Sequence, residues 1–401
     1  MKSKFFAPAL LSLVAAAALV ACGGGSDSAP ATVATAVTPV APVADTVTTA
    51  SALTATTIGA SVIAGASSDE EVYNLAADVG DSWQLVLNNK TNTYVVKVTS
   101  SQFGLRDSTP TGFTKTTVGT ITTVKDASGS ALSVQIDNRT KTVAGNVTVG
   151  SKVSSVSGSG YQIADVGKLA GNYFFAGSTR NVTNGQYRDT PLGGFIIAAN
   201  GTDLTVCDGS VAVNGVCTAV VAGRPVVTKS LKIVKDGGVL RILDGTKNFG
   251  IVHVSAGDRG PVLIIDRFGP NDDTPAVLRT GVFYGAKSAK LAGTEFDGNW
   301  TCSNGGADMV KLVVSGTSYT VTPNNKTAQQ GTLQYNKVYV GSSNSVVDLS
   351  GVMIAKNNTE ALIDSALVLP LSSSLAIVVE SPSANSTQFG TDKNIDICRK
   401  V

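Results

Sequence analysis

The chain has 401 residues, with 31 Lys and Arg against 29 Asp and Glu and a single histidine. A net charge of +2, with only 15% charged residues, leaves no electrostatic footprint for nucleic acid or for an acidic membrane surface. Gly, Ser, Thr, Val and Asn dominate, usage that fits an all-β secreted protein and argues against a helical cytosolic enzyme.

Lys2 and Lys4 precede an apolar stretch from Phe5 to Val20, which has signal-peptide length and is short for a membrane span. It ends in Leu19-Val20-Ala21-Cys22, which resembles the lipobox of bacterial lipoproteins. The resemblance implies removal of residues 1–21 and lipidation of Cys22 as the mature N-terminus. In that family an Asp after the cysteine commonly retains the protein in the inner membrane. Gly23 stands there instead, which implies an outer-membrane, lipid-anchored protein. Whether it faces periplasm or exterior stays open. Several acyl chains give stable anchoring where one binds only marginally.

Residues 22–67 then read as a low-complexity linker of Gly, Ser, Ala, Thr and Val with Pro30, Pro39 and Pro42, a disordered stalk. Leu53, Ile58, Val62 and Ile63 in its last part can dock as a first strand. Ser67 and Glu70 stand at capping-box spacing, which predicts a short helix through Ala77 with Gly80 as its stop. Asp69, Glu70 and Glu71 are then solvated charges at a helix start.

From Trp83 onward strand follows strand. Tyr94–Thr99, Leu132–Ile136 and Tyr319–Thr322 alternate or run β-branched. Leu231–Val234, Val239–Leu243, Ile251–Val254 and Val262–Ile265 form a second series. The turns between them are Asp236-Gly237-Gly238, Asp244-Gly245 and Ala256-Gly257-Asp258. Closely spaced strands joined by tight turns, with no long amphipathic helix between, predict antiparallel barrels or sandwiches. Lys168-Leu169-Ala170-Gly171-Asn172-Tyr173-Phe174 recurs one domain length later as Lys290-Leu291-Ala292-Gly293-Thr294-Glu295-Phe296. The expected fold class is all-β, with two or three antiparallel β-barrel or sandwich modules after the stalk, near 69–165, 166–288 and 289–401.

With Cys22 assigned to lipid, Cys207, Cys217, Cys302 and Cys398 remain, and four cysteines allow three pairings. Turn signals between Cys207 and Cys217 favour that pair, leaving Cys302–Cys398 to tie the start of the last module to its end. A metal site competes, but there is no Cys-x-x-Cys and the histidine is remote, so disulfides are expected.

Chemistry-bearing residues are sparse. His253, between Val252 and Val254, reads as a surface or hydrogen-bonded sheet residue, and no Gly-x-Ser-x-Gly elbow supplies a nucleophile. Gly80-Asp81-Ser82 superficially matches the nucleophile block of GDSL hydrolases. Trp83 replaces the usual Leu and Gly250 the usual Asp, and the match is rejected. Asp258-Arg259, Asp266-Arg267 and Asn271-Asp272-Asp273 form the densest polar stretch; Asp–Arg pairs flanking a hairpin explain it more simply than a calcium loop. No catalytic, cofactor-binding or metal-binding residue is assigned, and no cofactor is implied.

Gly298-Asn299-Trp300 resembles the Gly-x-Trp signature of lipocalin-like barrels, whose Trp closes the barrel floor. Gly281-Val282-Phe283-Tyr284-Gly285 before Leu291-Ala292-Gly293 is similar to the glycine-aromatic strand of the transferrin-binding and factor-H-binding lipoproteins. Ala286 and Lys290 depart from that pattern, and over a hundred residues follow it. The whole resembles β-rich Gram-negative envelope lipoproteins. The expected function is a non-enzymatic, lipid-anchored binding or assembly role, with a membrane as partner through the anchor, an unknown protein or small-molecule ligand, and no nucleic acid. A transferrin-binding type of surface receptor and a surface hydrolase are the alternatives.

Overall fold

The computed structural model describes residues 54–182, 187–189, 192–208, 210–220, 225–270, 278–324, 326–340, 345–357, 365–380 and 395–401. Cys22, the residues before it and the linker up to residue 53 lie outside these, as do Asn271, Asp272 and Asp273.

Three closed antiparallel barrels, each of eight strands, follow one another along the chain. The first runs from Glu70–Ala77 to Lys152–Ser159, and those two strands pair with each other to close it. The second runs from Gly171–Asn181 to Leu278–Lys287, closing from Tyr173↔Lys287 to Asn181↔Arg279. The third runs from Gly298–Asn304 to Ile395–Lys400, closing at Trp300↔Lys400 and its neighbours. Eight strands enclose an interior that side chains alone can fill. Tyr73, Leu75, Trp83, Leu85 and Val134 fill the first barrel. Tyr173, Phe175, Phe195, Leu231 and Phe283 fill the second, and Phe296, Trp300, Leu333 and Met353 the third.

Part of each barrel's outer face is buried as well. Ala76 and Ala144 of the first barrel join Phe174, Ile264 and Tyr284 of the second and Leu367, Leu369 and Ile377 of the third in one apolar cluster. This second burial explains the near-continuous apolar run Val262–Ile265, since a strand covered on both faces cannot alternate.

The helix expected from Ser67 to Ala77 is instead a turn followed by the Glu70–Ala77 strand. Tyr73, Leu75 and Ala77 point into the first barrel while Ala76 faces the other barrels, a two-sided burial with a period of two. The capping-box pair is spent on the turn: Glu70 N donates to Ser67 O at 3.2 Å, and Ala66 N to Glu70 Oε2 at 2.7 Å. The end of the supposed stalk is folded too. Residues 54–57 form one helical turn, Ala60–Val62 pairs with Tyr161–Ile163, and Ile58, 1% exposed, enters the core of the second barrel.

The internal repeat keeps one function and shifts another. Leu169 and Leu291 are both buried in the cores of their barrels. The triplets that open each first strand, however, are Gly171-Asn172-Tyr173 and Gly298-Asn299-Trp300, so a five-residue slip separates the sequence repeat from the structural one.

Candidate functional site

Polar side chains converge where the three barrels meet. Arg139, in the turn after the Leu132–Asp137 strand, donates from Nη2 to Asp137 Oδ2 at 2.6 Å and to Ser373 Oγ of the third barrel at 2.5 Å. Its Nη1 lies 3.7 Å from Asp258 Oδ1 in the Gly257–Gly260 hairpin of the second barrel. Asp258 Oδ2 accepts from Ser373 N, and Arg259 donates to Pro370 O. The polar stretch read as Asp–Arg pairs flanking a hairpin thus reaches beyond that hairpin into both neighbouring barrels. Beside this junction, Gln135, Asp137, Thr142, Ser374, Arg399 and Lys400 line a cleft of about 10 Å³, room for one water.

Asp78 ties the first barrel to the third. It accepts from Gly305 N at 2.7 Å and from Ser154 Oγ at 2.5 Å, and Arg180 of the second barrel faces it electrostatically. Burial raises its pKa, against these partners. Nearby, Gly306 N donates to Ser155 Oγ at 2.9 Å, and Arg399 grips Asp308 with Nη2 at 2.8 and 2.9 Å.

Between the first two barrels, Ser82 Oγ donates to Asp266 Oδ2. Burial pushes the Asp266 carboxyl up to about 7; the Ser82 bond opposes this and the charge of Asp81 adds to it. Ser82, only 1% exposed, offers no approach to a substrate. His253 lies on the outer face of the Lys247–Gly257 strand, which packs against the first barrel, where Ser255 Oγ meets Thr142 Oγ1 at 2.6 Å. It is buried, and its Nε2 has no hydrogen-bond partner among the described residues, so the expected surface or bonded role is corrected. Burial pushes its imidazole down to about 4, so it stays neutral.

The four cysteines form two bridges. Cys207–Cys217 joins the Asp203–Asp208 strand to the Val216–Ala219 hairpin strand, and Cys302–Cys398 crosses the seam that closes the third barrel. At the same end of that barrel Trp300 Nε1 donates to Phe296 O at 2.8 Å, and Lys400 lies over its ring. Trp300 is fully buried in the core of the third barrel. The sequence carried no signal for the inter-barrel polar contacts, because each partner comes from a different module.

The arrangement can bind one module to the next, and among the described residues no three or more His, Cys, Asp or Glu gather to hold a metal. No family model matches the chain, and neither a curated protein nor a solved structure matches it.

Proposed function

We propose that this protein is a non-enzymatic, lipid-anchored envelope protein whose β-rich body serves binding or assembly. One observation carries the reading: the three barrels are filled by side chains and fused by a shared apolar cluster, as in a scaffold. Two disulfides support an oxidising compartment. The lipobox-like Leu19–Cys22 supports anchoring in the outer membrane. Mass spectrometry of the mature N-terminus tests this directly: three acyl chains on Cys22 are expected, with Cys22→Ala shifting the protein to the soluble fraction. An unacylated, freely soluble mature product overturns the reading.

A surface receptor of the transferrin-binding kind is a second reading. It is favoured by the place of Gly281–Gly285, on the strand that closes an eight-stranded barrel. Protease shaving of intact cells separates the two. Loss of the body on shaving supports the receptor, and full protection removes it.

A further inference from the structure

The first barrel has one incomplete seam. Thr93–Ser100 and Thr111–Val118 share two register pairs, Thr93↔Gly112 and Tyr94↔Thr111, whereas the next shortest barrel seams among the described residues run to four. Beyond Tyr94 the first of these strands is covered by the loop that follows it. Ser108 N donates to Val96 O at 2.9 Å, and Val96 N and Val98 N each donate at 2.8 Å to the side chains of Ser108 and Asp107. Side-chain oxygens there stand in for a missing strand.

The opposite edge has no such cover. Phe113 N donates to Asn92 O at 2.9 Å, so strand alternation turns the N–H and C=O of Lys115 and Thr117 the same way, away from the hairpin partner Ile121–Asp126. Among the described residues neither strand nor loop pairs with them on that edge. Every residue of Thr111–Val118 except Phe113 is exposed. An unpaired strand edge is a template for another strand.

The charges around the gap select its occupant. Lys97 and Arg106 are exposed on the elements that border it, Lys125 is exposed on the strand behind the edge, and Lys115 sits on the edge itself, bonded to Glu71 at 2.7 Å. Asp107, the acid nearest them in the loop, is spent on Val98 N. A second copy of the chain would set this lysine-bearing edge against its own kind, which like charges disfavour.

The geometry points to a strand-addition site at Phe113–Val118 for an extended, acidic segment of another protein. Main-chain hydrogen bonds to Lys115 and Thr117 supply the pairing, and the basic border selects acidic flanks. The site belongs to the folded body and holds whether or not the chain is anchored.

The test uses the full-length mature protein and a fluorescent peptide of alternating valine and threonine with two aspartates at each end. Thr117→Pro removes an edge donor that the barrel does not use, and an edge strand tolerates proline. Saturable binding is expected, about tenfold weaker with Thr117→Pro at an unchanged melting temperature. A peptide with lysines in place of the aspartates binds about tenfold more weakly. If Thr117→Pro unfolds the protein, the exposed pair Lys97→Glu and Lys125→Glu carries the test by reversing the preference between the two peptides. No saturable binding, or binding indifferent to both sets of variants, overturns the proposal. So does a wild-type dimer that Thr117→Pro dissociates, because the edge would then serve a second copy.

Discussion

Lys287, the last residue of the second barrel, sets its ammonium 4.6 Å from the centre of the Tyr173 ring on that barrel's first strand. The same ammonium donates to Ala170 O and, at 3.4 Å, to Leu169 O, so it ties off the carbonyls of the segment leading into the barrel. Lys400 stands over Trp300 in the third barrel in the same way, at 5.8 Å. Gly171 and Gly298 make this possible: a Cβ at either would lie within 2.3 Å or 2.6 Å of the lysine that folds over it.

Lys287→Met keeps most of the apolar stem and removes the charge. It loses a cation–π contact and leaves Ala170 O unpaired, so a cost of about 2 kcal/mol is expected. Urea unfolding followed by far-UV circular dichroism measures it. A change under about 0.5 kcal/mol would mean that the clasp is ornamental.

The joint between the first two barrels holds two groups that titrate in opposite senses. Asp266, raised to about 7, keeps its proton in the fold, so its contribution is present in acid and is lost as pH rises through 7. His253, lowered from 6.5 to about 4, contributes at neutral pH, and that contribution is lost as pH falls from 6.5 to 4. Relative to wild type, Asp266→Asn gains stability with rising pH over this window, and His253→Leu loses it. Each slope approaches about 1.4 kcal/mol per pH unit. Urea midpoints collected from pH 4 to 7.5 give both signs, and parallel curves for all three proteins would refute the assignment.

The two disulfides differ in the length of chain they close. Cys302 and Cys398 are 96 residues apart, whereas Cys207 and Cys217 are 10 apart. Loop entropy assigns roughly 4.7 kcal/mol to the long bridge and under about 3 kcal/mol to the short one. The double variant Cys302→Ala with Cys398→Ala should therefore lower the guanidinium midpoint more than Cys207→Ala with Cys217→Ala. The reverse order would show that native-state effects outweigh chain entropy here.

Gly80 turns the chain between two strands of the first barrel at φ 84°, hard against the second. An added Cβ would fall 1.2 Å from Thr280 Oγ1, and Thr280 itself donates to Val79 O at 3.1 Å. Gly80→Ala should cost about 2–4 kcal/mol through clash and backbone strain. Adding Thr280→Gly should recover part of that in a double-mutant cycle, and purely additive costs would exclude the contact.

Arg139 of the first barrel bonds to Asp258 of the second and to Ser373 of the third at their junction. Arg139→Met leaves the buried Asp137 and the half-buried Asp258 without their guanidinium, and the broken pair with Asp137 sets the expected loss at about 3–5 kcal/mol. Limited proteolysis should then cut between barrels that resist it in the wild type. An unchanged digestion pattern would mean that the apolar cluster alone holds the body together.

Much of the architecture is local, and local features are legible in a sequence. Val262–Ile265 and Tyr94–Thr99 announce strands because strand periodicity is a property of neighbouring residues, and Asp236-Gly237-Gly238 announces a turn through its φ preferences. The pairing of Cys207 with Cys217 was readable for the same reason, since a short turn-rich loop joins them. Glu70–Ala77 was misread because capping-box spacing is a weak local signal, and Tyr73, Leu75 and Ala76 answer to two different cores.

The sequence by itself determined an all-β chain of antiparallel hairpins and the pairing of Cys207 with Cys217 and of Cys302 with Cys398. Only the tertiary structure decided that each set of eight strands closes on itself, that Ile58 enters a barrel it does not belong to, and that Arg139, Asp258 and Ser373 meet. Closure and docking depend on residues far apart in the chain. A buried outer face is written as an apolar run, which says that it is covered and not by what.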